Sequence, residues 1–148
     1  MNAQLHRKNI ETVAKNLRGA PGYSERPDAV HGTLFQFQFT PCCLPLPVLV
    51  WINPDSGGVF MRILFPGAGD LPPLLGVLNR INYELPIGGF AADVPGGEVR
   101  FKKALFFGDT ELAPSLFVHL VQSSLEMVRA HFGAIMSAVT GLDHPCRS

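Results

Sequence analysis

The chain is poor in charge. Of its 148 residues 16% are charged, and 12 acidic and 12 basic side chains cancel to a formal net charge of zero. With no basic excess, nothing draws the whole molecule onto nucleic acid or an anionic membrane, so neither partner is expected. Cysteines number three, without a Cys-x-x-Cys pair, which excludes a cysteine-rich zinc module. Cys42 and Cys43 could bond each other only through a strained ring, so reduced, buried thiols in a cytoplasmic setting are expected. The first 18 residues lack the continuous apolar run of a secretory signal, carrying Arg7, Lys8, Lys15 and Arg18 instead. Charge is missing altogether between Asp28 and Asp55, yet Pro41, Pro45, Pro47 and Pro54 forbid a membrane-spanning helix there.

Signatures of chemistry are equally sparse. The run Pro66-Gly67-Ala68-Gly69-Asp70 sits between a strand and a helix, where phosphate loops sit. It lacks the Lys-Ser/Thr pair of a nucleotide loop and the third glycine of a dinucleotide fingerprint, and its aspartate would repel an anion. It reads as a turn. No Gly-x-Ser-x-Gly elbow exists, and no His-x-x-x-His or Glu-x-x-His spacing puts two metal ligands on one helical face. Asp109, Glu111 and His119 around the start of the last helix read as capping and solvated groups. Arg100, Lys102 and Lys103 beside Phe101 read as a solvated strand, without a ribonucleoprotein-type aromatic motif. The expectation is therefore no catalytic residues, no metal and no cofactor.

What the chain does have is apolar residues and turns: 47% hydrophobic, with 15 glycines and 13 prolines. That composition excludes disorder as the main state and predicts short elements in one domain over residues 1–141, with a loose tail at 142–148. Leu5, Ile10, Val13 and Leu17 predict a helix over 3–18, stopped by Gly19-Ala20-Pro21-Gly22, with a loop through Pro27. The period then drops to two. Phe35, Phe37 and Phe39 alternate with Gln36, Gln38 and Thr40, giving a strand with one dry and one wet face. Val48 to Ile52 is apolar on both faces, which predicts a central or doubly covered strand. Turn chemistry over Asn53 to Gly58 leads into a third strand, with Val59, Met61, Ile63 and Phe65 opposed by Phe60, Arg62 and Leu64.

Leu71, Leu74, Leu75, Leu78 and Ile81 predict a second helix to about Tyr83, with Asp70 as N-cap. Ile87 to Val94 and the segment from Glu98 predict a second hairpin, with Gly88-Gly89 as a bulge or close backbone approach. A last helix runs from about Ala113 to Val139. Leu116, Leu125 and Met127 spill beyond its main apolar face, so it should be covered from more than one side, self-association being one explanation. The order α-β-β-β-α-β-β-α with short links predicts a two-layer α+β domain on a twisted antiparallel sheet. Asn79 is expected to bond a neighbouring backbone group, fixing sheet to helix, and Asn82 suits a helix C-terminus.

Leu78-Asn79-Arg80-Ile81-Asn82-Tyr83, then Ile87-Gly88-Gly89-Phe90, then Gly97-Glu98-Val99-Arg100-Phe101 resemble the YbjN family of small bacterial proteins. Leu112-Ala113-Pro114, leading into a long helix, and the closing Ala138-Val139-Thr140-Gly141 are similar too. The resemblance is clearest over residues 71–141. It implies a fold similar to type III secretion chaperones, commonly dimeric, and a role in bacterial sensory transduction, with no catalytic residues to carry over. The expected protein is a non-enzymatic cytoplasmic homodimer that binds an unidentified protein through an apolar sheet or helix surface. Candidate partner-binding or structural residues are Asn79, Asn82, Tyr83, Leu116, Leu125 and Met127. A small-ligand sensor and an unrecognised hydrolase built on His119, Asp109 and Glu111 are the alternatives.

Overall fold

The computed structural model describes residues 2–67, 71–93, 95 and 98–141. Asn2 opens the first helix, α1 (Ala3–Leu17), its side chain accepting from the Leu5 N–H at 2.7 Å in place of a missing intrahelical partner. Four strands follow: β1 (Ser24–Asp28), β2 (Gly32–Phe39), β3 (Leu46–Asn53) and β4 (Gly58–Leu64). The helix α2 (Leu71–Glu84), the strands β5 (Gly89–Ala92) and β6 (Val99–Phe106), and the helix α3 (Pro114–Thr140) complete the order. The strands form one antiparallel sheet in the order β1-β2-β3-β4-β6-β5. Asn53 builds the β3–β4 turn by accepting from the N–H groups of Asp55 and Ser56 at 2.8 and 3.2 Å, a side-chain mimic of a backbone turn.

The alternating patterns map onto this sheet as expected. Phe35, Phe37 and Phe39 join Leu46, Val48, Val50, Ile52, Val59, Met61, Ile63 and Phe101 on one buried face. All three helices lie on that face and contribute Val13 and Leu17, Leu74 and Leu78, and Phe117, Val128, Phe132 and Ile135 to the core. The architecture is the expected two-layer α+β one, with β3 central. Gly88 is the predicted close approach: at φ +80° a side chain there would press on the Phe101 ring and the Lys102 carbonyl.

Several expectations need correction. Residues 24–28, expected in a loop, form β1 at the sheet edge. Ser-Glu-Arg-Pro-Asp has no apolar alternation because the strand is almost wholly exposed, and Pro27 is tolerated because an edge strand can spare an N–H. Cys42 and Cys43 are exposed in the β2–β3 connection, where Pro41 and Pro45 keep the chain out of the sheet. Cys42 is disulfide-bonded, so three reduced thiols are not what the structure holds. Part of the wide apolar arc of α3 is covered within the domain, while Leu116 stays exposed. The helix lies between α1 and α2 as well as on the sheet, and Leu125 and Met127 pack half-buried against the core. Asp70 as N-cap and the tail 142–148 fall outside the described residues.

Candidate functional site: the uncovered face of the sheet

Because every helix among the described residues sits on one face, none of them covers the other face of the sheet. An alternating strand would normally place polar groups there. Instead the register sets Trp51 of β3 opposite Leu34 of β2 and Phe60 of β4. Leu34 and Trp51 are buried, yet both stand outside the main core. They belong to a second apolar cluster.

Aromatic contacts hold that cluster together. Trp51 and Phe60 stack with centroids 5.6 Å apart and planes 11° from parallel. Phe106 of β6 meets Phe60 edge-on at 5.7 Å while remaining 63% exposed. Gly58 makes room for both rings, since a Cβ there would come within 2.9 Å of Phe106 and 3.0 Å of Phe60. His31 lies against Trp51 at 4.5 Å, and its Nδ1 meets the Asp28 carboxylate at 2.7 Å. The same carboxylate accepts from the backbone N–H groups of His31 and Val30. The His31 N–H, foremost, holds it below the usual carboxylate range.

Cations complete the surface. The Arg62 guanidinium lies 4.8 Å above the Trp51 ring. Arg62 on β4 stands directly opposite Lys102 on β6, and Arg100 is two residues from Lys102 on the same strand face. Arg100 is paired with Glu98 at 2.7 Å. Three hollows open on this face. One of about 320 Å³ is bordered by Trp51, Phe60, Arg62, Gly88 and Lys102. A second of about 470 Å³ continues past Trp51, Phe60 and Arg62 to His31, His6 and Asp55. The third, about 230 Å³, lies between Arg100, Lys102, Ala91 and Asp93. The chemistry on offer is recognition: apolar contact, cation–π contact and charge.

The residues singled out in the sequence lie in the other layer. Asn82, not Asn79, fixes the sheet to a helix: it donates to the Phe90 carbonyl at 2.7 Å and accepts from the Phe90 N–H at 2.8 Å. Asn79, one turn earlier, is exposed, and Tyr83 is 86% exposed. Leu116 is exposed at the start of α3. His119 is exposed on α3, and Glu111 pairs with Lys8 of α1 at 3.0 Å. Among the described residues, no group of three His, Cys, Asp or Glu side chains is placed to hold a metal ion. No helix among them is long and apolar enough to cross a membrane. Phe101 faces the core, so it offers no ring beside Lys102 on the open side. The pattern of residues along the chain does not by itself bring together the cluster of Trp51, Phe60, Arg62, Lys102 and Phe106. Its signal was present in the Asn53–Gly58 turn, which pairs Trp51 with Phe60 once the hairpin register is followed.

Comparison with known proteins gives the fold and the family. A chain of the solved HopA1–SchA chaperone–effector complex is similar in fold. Its TM-score is 0.56 and its identity 13%, over 84% of this chain and 91% of that one. No curated protein matches the sequence. Residues 46–136, which include β3, β4, the second hairpin and most of α3, match the family model YbjN, described as "Putative bacterial sensory transduction regulator". The match takes in more than half of the chain, and the protein belongs to the YbjN family.

Proposed function

We propose that the protein is a non-enzymatic, chaperone-like interaction module that binds a segment of another polypeptide on the uncovered sheet face. The observation that carries this reading is the second apolar cluster: Phe60 and the exposed Phe106 pack with the buried Trp51 on a face that none of the described helices covers. Apolar surface that the fold does not need for its own core is what a partner surface consists of. The fold supports the reading by analogy, since the similar chain comes from a chaperone–effector complex. Pairing with a second copy, the other part of the expectation, would use the helical layer, where Tyr83 and Leu116 stand exposed. Sedimentation velocity on the wild type and Leu116→Ser tests that part.

The site carries its own reporter, because Trp51 is the only tryptophan in the chain. Titration with a library of unstructured peptides should shift or quench its emission. Phe106→Ser should weaken the binding by roughly tenfold, as loss of an exposed aromatic anchor does. The unfolding midpoint should hardly move, since Phe106 lies outside the core. Silence of Trp51 towards every peptide, or unaltered binding by Phe106→Ser, would overturn the proposal.

A further inference from the structure

We propose that the uncovered face selects acidic polypeptide segments, Arg62 and Lys102 taking carboxylates while Phe60 and Phe106 take the neighbouring apolar side chains. This inference rests on the polypeptide-binding reading above and names the partner's chemistry.

Its first support is an unfavourable arrangement that the fold retains. Arg62 and Lys102 occupy directly opposed positions on β4 and β6. Like charges so placed repel and weaken the pairing of their strands. Among the described residues neither forms an ion pair, whereas nearby Arg100 has Glu98 and His31 has Asp28. A carboxylate set between the two would turn the repulsion into two charge-assisted hydrogen bonds. Arg62 is also positioned in advance, because its guanidinium rests on the Trp51 ring and has fewer conformations to lose on binding.

The second support is the layout of the hollows. Arg62 borders both the 470 and the 320 Å³ hollows, and Lys102 borders both the 320 and the 230 Å³ ones. Apolar walls and cations therefore alternate across β3, β4, β6 and β5. An extended chain presents every second side chain to a surface it lies on, so apolar and acidic residues at positions i and i+2 would meet walls and cations in turn. The carboxylates that reach this surface lie away from the Arg62–Lys102 pair: Asp28 is held by His31, Glu98 by Arg100, and Asp55 and Asp93 stand at the outer ends of the row. Arg26 adds a further cation, placed opposite Leu34 on the same face. The charges of the open face as a whole balance, but its centre holds Arg62 and Lys102 side by side with no carboxylate among the described residues paired to either, a local positive spot for an acidic side chain.

Aromatic rings beside basic residues on a sheet also suit single-stranded nucleic acid. That occupant needs a free ring face for a base. Trp51 has none, being 8% exposed with Arg62 above it and His31 and Phe60 against it, and the exposed Phe106 is a single ring where successive bases need a row of them. An acidic peptide fits better.

The experiment titrates Trp51 emission with three peptides that share apolar residues at positions i and i+4 and differ only in Glu, Ser or Lys at position i+2, on the same face. A single-stranded oligothymidylate of similar length is the fourth ligand. The Glu peptide should bind about tenfold more tightly than the Ser peptide, with the Lys peptide weakest. That advantage should vanish in Arg62→Gln/Lys102→Gln and shrink in about 0.5 M salt, where exposed charges are screened. Equal binding of the Glu and Ser peptides would overturn the acidic preference and leave polypeptide binding standing. Failure of all three peptides would remove both readings. Tighter binding of the oligonucleotide than of any peptide would overturn this proposal in favour of nucleic acid. The three wild-type peptide titrations decide the preference even if the double variant fails to fold.

Discussion

The carboxamide of Asn82 closes the backbone of Phe90 from both sides, donating to its carbonyl and accepting from its N–H. A side chain from α2 thereby takes the place of a neighbouring strand on β5. Asn82→Ala should cost about 2–3 kcal/mol, the loss of two bonds plus two backbone groups left short of partners. Asn79→Ala, at the exposed position one turn earlier, should change stability by less than about 0.5 kcal/mol. Urea denaturation of both variants checks the contrast.

Gly57 turns at φ +64°, and its carbonyl accepts from the N–H groups of Phe107 and Gly108 at 2.8 and 3.1 Å. A Cβ at Gly57 would lie 2.4 Å from the Gly108 carbonyl oxygen. Gly57→Ala should therefore cost about 3 kcal/mol, from a strained left-handed residue combined with a backbone clash. Gly108 has the same φ but open space around it, so Gly108→Ala should cost about 1 kcal/mol. Thermal unfolding of the pair separates strain from clash.

Burial holds the His131 imidazole, edge-on to Phe90 at 6.0 Å, below its ordinary pKa. The unfolded chain takes up this proton near the ordinary value of about 6.5, the folded chain only at lower pH. Stability from this group is thus full above about pH 7 and declines as pH falls through 6.5. The decline ends below the folded value. His131→Gln should flatten that part of the stability profile, measured by urea titration between about pH 7 and 5.

Lys102→Glu sets a carboxylate opposite Arg62. The variant should be more stable by about 0.5 kcal/mol at low ionic strength, as a cross-strand ion pair replaces a repulsive one. The gain should disappear in about 1 M salt. A variant that is less stable than the wild type at low salt would show that Arg62 and Lys102 do not repel.

The sequence carries the core faces and the helix positions openly, because Phe35 to Phe39, Val59 to Phe65 and the leucines of α2 repeat with the periods of their elements. It hides β1, whose Ser-Glu-Arg-Pro-Asp lacks any dry face. It hides Asn9 too. This asparagine is fully buried on α1, where it donates to the Thr110 carbonyl at 3.2 Å and accepts from the Leu112 N–H at 2.8 Å. In one dimension such a residue reads as ordinary helix surface. The candidate site is harder still. Trp51, Arg62 and Lys102 come from three strands, and only the register of the sheet makes them neighbours. Lys102 reads as solvated until Arg62 is seen opposite it.

The two rims of the sheet have a consequence for behaviour at high concentration. Pro27 on one rim has no N–H to donate, and Asn82 on the other occupies the outward bonds of Phe90. Both features leave fewer free backbone groups for sideways polymerisation into fibres, a hazard of a chain with so greasy a composition. Loss of the Asn82 clamp would free the outward bonds of Phe90 and give crowded molecules one more place to zip together.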